Sequence, residues 1–152
     1  MSCADELQAI IVYNCAIRFR YRCVQMVYMV PARTAPKEDD LTPDDVRYLR
    51  NHMNATNFEI IVDRQSIPWD KIDELEVAVA ARQNSPAGWL VKNVIYGGKE
   101  RYHVGIYSGN NEAVLPNLSL AAAKYVVQTV AYYARTRIRY TGPEGFIPTT
   151  ES

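Results

Sequence analysis

The sequence predicts an α+β domain: a mainly antiparallel sheet, bent or rolled into a half-open barrel, with one short inserted helix and a C-terminal amphipathic helix packed on it. Three observations carry this expectation. Apolar and polar side chains alternate along residues 9–30 and again along 74–82, the period of a half-buried strand. Gly97-Gly98 stands between two strand-like runs, where both turn residues accept positive φ. From Asn117 to about Arg135 the spacing changes to i, i+3, i+4, the period of a helix with one buried face.

In chain order, Ile17, Phe19, Tyr21 and Cys23 share one parity and Arg18, Arg20 and Arg22 the other, so one face is apolar and one basic. The 9–30 run is longer than one ordinary strand, and a bend, bulge or hairpin is expected near Asn14 or Gln25. Pro31 to Asp40 reads as a loop. Thr42-Pro43-Asp44-Asp45 is a helix start: a hydroxyl to accept from the free amides, proline at the first helical position, and carboxylates at the positive end of the dipole. Val46, Leu49 and Met53 give that helix a narrow apolar stripe, and Asn54 to Asn57 ends it.

Strands follow. Phe58 to Asp63 is one, then a turn region. Leu75, Val77 and Val79 alternate with Glu74 and Glu76 in a second. Trp89–Tyr96 and Arg101–Tyr107 flank the glycine pair, and Glu112–Leu115 is a last short strand before the helix, which either Asn117 or Ser119 caps. A single domain over 1–140 and a tail over 141–152 are expected, since 152 residues suffice for one core and no linker or repeat divides them.

Composition excludes several classes. With 48% hydrophobic and 11% aromatic residues and 17 basic against 17 acidic side chains, the chain is not a disordered segment, and no general basic excess favours nucleic acid. No run approaches the ~20 apolar residues of a spanning helix, and the acidic start Ala4-Asp5-Glu6 differs from a secretory leader. Cys3, Cys15 and Cys23 show no paired spacing, so neither a disulfide framework nor a metal site is expected, and a reducing cytoplasm is the expected compartment. No cofactor motif stands out; Gly97-Gly98-Lys99 lacks the surrounding pattern of a phosphate loop.

The segment Ile67-Pro68-Trp69-Asp70-Lys71-Ile72-Asp73-Glu74-Leu75-Glu76-Val77 resembles bacterial pleckstrin-homology-like domains, which often carry an isoleucine-proline-aromatic step leading into a strand. The hairpin from Tyr102 to Leu115 followed by an amphipathic helix is similar to the end of that fold, and the likeness covers roughly residues 58–135. It implies a terminal helix plugging a half-open barrel, and a non-catalytic module that binds a protein partner or an anionic headgroup. The inserted helix at 42–54 departs from the family pattern.

Candidate site residues divide by chemistry. Arg18, Arg20 and Arg22 present guanidinium groups ~6.6 Å apart on one strand face, suited to bidentate phosphate contacts. The resemblance implies a headgroup role for basic residues so placed. The competing explanation is a solvated face, or cross-strand pairing with Glu74 and Glu76. Arg101 and His103 are ligand candidates on the later strand. An alternative small enzyme would assemble His103, Tyr107, Asp70 and Arg101 only in the fold, and no catalytic motif names its catalytic residues. His52 falls late in the short helix, where a cation suits the dipole. Phe146 and Ile147 are either packed back or offered to a partner. A homo-oligomer joined through sheet edges is the third alternative.

Overall fold

A computed structural model describes residues 25–80 and 99–148. Arg18, Arg20 and Arg22, the three cysteines, the Trp89–Tyr96 strand and the Gly97-Gly98 turn lie outside the described residues.

Strand β1 (Gln25–Met29) leads through the proline-containing loop to helix α1 (Pro43–His52). The helix begins as its residues dictate. The Thr42 hydroxyl accepts from the Asp45 amide, and the Asp45 carboxylate accepts from the Thr42 amide, a reciprocal capping box closed by aspartate in place of glutamate. Three short strands follow, β2 (Met53–Ala55), β3 (Glu59–Val62) and β4 (Gln65–Pro68), forming an antiparallel sheet of their own in the order β2-β3-β4. The β3–β4 turn is Asp63-Arg64, with φ of 45° and 72°, the left-handed pair that a two-residue hairpin demands.

A single 3-10 turn at Trp69–Lys71 carries the chain into β5 (Glu74–Val79). Strands β6 (Tyr102–Ser108) and β7 (Asn111–Leu118) continue the meander, helix α2 (Leu120–Tyr133) crosses the sheet, and β8 (Ile138–Gly142) returns. The larger sheet has the order β1-β8-β5-β6-β7. All of its pairs are antiparallel except β5 with β8, a parallel pair made possible because α2 carries the chain back across the sheet. Among the described residues the sheets of five and three strands do not close into a barrel. Strand β8 runs two residues past the expected tail boundary, and Phe146 beyond it lies in the core.

Period-two alternation decides what the large sheet buries. Leu75 and Val77 of β5, Val104 and Ile106 of β6, Leu115 of β7 and Ile138 and Tyr140 of β8 point to one face. Against it α2 sets Ala122, Ala123, Val126, Val127, Val130 and Ala131, the small residues among them letting the helix come close. Ser119 is the cap, its hydroxyl accepting from the Ala122 amide; Asn117, the other candidate, takes a left-handed φ of 56° instead. The same core takes in Ile60, Val62, Ile67 and Trp69 from the small sheet, so one apolar cluster joins both sheets and both helices. Each fully buried aliphatic side chain there contributes about 1.5–3 kcal/mol relative to exposure.

Candidate functional site

Two surfaces hold the polar chemistry of the described residues. The first is the outer face of the large sheet. Glu74 and Glu76 of β5 point outward; Glu74 pairs with Arg139 and accepts from the Thr141 hydroxyl at 3.3 Å. Glu76 accepts from the Tyr107 hydroxyl at 2.9 Å. The Tyr107 ring reaches Glu76 by lying across Gly105, where an added Cβ would sit 3.0 Å from the ring. Burial, reinforced by the hydrogen bond and the negative charge of Glu76, pushes the Tyr107 hydroxyl up to about 12. Among the described residues Glu74 is therefore engaged by Arg139 and Thr141, and Glu76 by Tyr107.

His103 shares this face, half-buried on β6. Its Nδ1 lies 3.2 Å from the Asn117 amide, where the β6–β7 register shifts beside Pro116. The ring thus accepts from an N–H that the irregular strand leaves free, a structural use of the histidine. Tyr107 is four residues further along the same strand, roughly 13 Å away in extended geometry, and Asp70 sits in the 3-10 turn. The fold does not gather His103, Tyr107 and Asp70 at one point. Arg101 precedes β6, its carbonyl accepting from the Ala80 amide at 2.8 Å. At the other end of the chain, Phe146 is only 3% exposed and meets Tyr102 edge to face at 5.2 Å, while Ile147 is partly buried against the core. Phe146 and Ile147 thus pack back on the domain.

The second surface is a groove with a volume of about 320 Å³ between the loop before α1, helix α1 with strand β2, and the second half of α2. Its floor is apolar, with Leu41, Leu49 and Met53 contributing. One wall is helical and aromatic: Tyr125, Thr129, Tyr132 and Tyr133 recur at i, i+4, i+7 and i+8 on α2 and so share a face. The other wall carries Arg50 of α1. Tyr133 is fixed from behind, stacked on the Trp69 indole at 4.9 Å and 10°. Trp69 is itself held by its Nε1–H donating to the Thr56 carbonyl at 2.7 Å. Tyr132 stands nearly perpendicular to Tyr133, with centroids 5.0 Å apart and planes at 82°, and is 38% exposed. The Tyr125 hydroxyl donates to Glu38 at 3.3 Å, drawing the loop carboxylate to the α2 wall. Burial and then the Glu38 charge hold the Tyr125 hydroxyl above its usual range.

Beside the groove, His52 ends α1 with its Nδ1 2.6 Å from Asp63 Oδ1 and its ring 4.4 Å from that of Tyr48. The Tyr48 hydroxyl donates to the Pro116 carbonyl at 2.9 Å. These contacts tie the last turn of α1 to the β3–β4 hairpin and to β7, so the helix that forms one groove wall is braced at its C-terminal end. His52–Asp63 was not visible in the sequence as a pair. The i, i+4 spacing of Tyr48 and His52 was the available signal for half of the arrangement.

Among the described residues no group of three His, Cys, Asp or Glu side chains is placed to hold a metal ion. No helix among them is long and apolar enough to cross a membrane. Comparison with protein-family models, with curated proteins and with solved structures gives no match.

Proposed function

We propose that the chain is a non-catalytic binding module, the kind of module that the 67–77 segment resembles, and that its recognition site is the groove between α1 and α2. The observation that carries this reading is the construction of the groove. An apolar floor, three tyrosines on one helical face and one charge on each wall surround about 320 Å³ of accessible space. Binding sites combine an apolar lining with a few placed polar groups in this way. The lining is also preorganised: Trp69 fixes Tyr133 and Tyr125 fixes Glu38, so little side-chain order is lost on binding. The enzyme alternative has less support, since His103 accepts from the Asn117 amide at the β7 irregularity and Tyr107 lies roughly 13 Å along the strand from it.

The test is a ¹⁵N–¹H titration of the full chain with five separate probes: phenol, indole, choline, acetate and inorganic phosphate. At least one is expected to shift the amides of Glu38–Leu41, Leu49–Ala55 and Tyr125–Tyr133 together. If all five leave those three segments unmoved, the groove is not a recognition site.

A further inference from the structure

The charges and rings of the groove specify what it takes, on the reading that the groove is the recognition site. Tyr132 and Tyr133 meet edge to face with centroids 5.0 Å apart and Tyr133 is stacked on Trp69, so the exposed Tyr132 ring is the aromatic surface open to a cation at this end of the groove. Both rings line the groove, and Tyr132 keeps more than a third of its surface open to an incoming group. Further along the groove, two turns before Tyr132, the Tyr125 hydroxyl holds the Glu38 carboxylate, with Asp39 and Asp40 next to it on the exposed loop, so the loop side of the groove is acidic. An alkylated ammonium, which is large, weakly hydrated and apolar at its surface, suits aromatic walls better than a primary ammonium does.

Arg50 adds the second half of the specification. It lines the opposite wall, is exposed, and among the described residues forms no ion pair, whereas Arg47 one turn earlier pairs with Asp44. A simple cation would be repelled by this guanidinium. A molecule that carries its own anion would instead be bound at both ends, the anion accepting the forked N–H groups of arginine. We propose that the groove binds a zwitterion composed of an alkylated ammonium and an anionic group, the ammonium against the exposed Tyr132 ring and the anion on Arg50. Phosphocholine is the test molecule, whether it comes as a free solute or as a lipid headgroup.

Amide-shift titrations of the full chain with phosphocholine, choline and the uncharged choline isostere 3,3-dimethylbutanol read the proposal. Phosphocholine is expected to bind most tightly, choline roughly tenfold more weakly, and the isostere more weakly still. Tyr132→Ala, at an exposed ring, should weaken choline about three- to fivefold while Tyr132→Phe restores it. Arg50→Gln should bring phosphocholine down to the level of choline and leave choline unchanged or tighter. Phosphatidylcholine vesicles in a sedimentation assay then separate the two sources: co-sedimentation assigns a headgroup, and soluble binding alone assigns a free solute. The proposal is overturned if the isostere binds as well as choline, or if Arg50→Gln leaves phosphocholine unaffected. A groove that responds to phenol, indole or acetate but to neither ammonium compound would overturn the ligand class and keep the site. Silence from every probe would remove both.

Discussion

Replacing Trp69 by Phe isolates the residue that joins the small sheet to the aromatic wall of the groove. Trp69 is 1% exposed, donates its indole N–H to the Thr56 carbonyl at 2.7 Å and stacks on Tyr133 at 4.9 Å. Phenylalanine keeps an aromatic face but loses the donor, leaving the Thr56 carbonyl short of its partner in a half-buried position, which costs about 1–2 kcal/mol. The smaller ring leaves part of the indole volume empty, adding ~1 kcal/mol if the surroundings close only partly. The sum, about 2–3 kcal/mol, corresponds to a fall in Tm of roughly 5–10 °C for a chain of this size. Urea denaturation followed by far-UV circular dichroism measures it, with an unchanged slope showing that the change lies in the native state. A loss under about 0.5 kcal/mol would refute the reasoning, because neither the hydrogen bond nor the packing could then be contributing as argued. The same variant frees Tyr133, so amide shifts are expected in α2 from Thr129 to Tyr133 and not at the distant β6–β7 turn.

Further consequences can be measured in the same way. Thr42→Ala opens the reciprocal cap of α1 and should cost about 1 kcal/mol, read by urea denaturation. Arg64→Gly relieves a non-glycine residue at φ 72°, worth ~1–2 kcal/mol, against a smaller entropic gain of the unfolded chain; net stabilisation of roughly 0.5–1 kcal/mol and a higher Tm are expected. Burial and Glu76 push the Tyr107 hydroxyl up to about 12 in the fold, against about 10 for a tyrosine in the unfolded chain. Its contribution to stability is therefore complete below the unfolded value and is lost as pH rises through the folded one. Absorbance of the phenolate in wild type minus Tyr107→Phe should show that late titration; a difference spectrum complete by pH ~10 would contradict it.

The parts of the fold that rest on local rules were legible from the residues. Thr42-Pro43-Asp44-Asp45 marked the start of α1 because a capping box involves only neighbours, and β5, β6 and α2 showed their periods over enough residues to be recognised. Strands β2 and β4 were read as helix end and turn, because three or four residues do not display a period. Strand β7 runs on to Leu118 beyond the expected end at Leu115: proline removes a donor, yet an edge strand with an irregular register tolerates that loss. The parallel pairing of β8 with β5 joins residues more than sixty positions apart, and no local pattern announces it. The groove is half legible for the same reason. Tyr125, Tyr132 and Tyr133 fall on one helical face by spacing alone, but the loop carboxylate that meets them is placed by tertiary packing.

Intermolecular nuclear Overhauser contacts between the methyl protons of phosphocholine and the protein test the central claim most directly. The structure predicts contacts to the ring protons of Tyr132, abolished by Tyr132→Ala. Contacts to the exposed Tyr28 ring on β1 in place of Tyr132, or none at millimolar ligand, would contradict it.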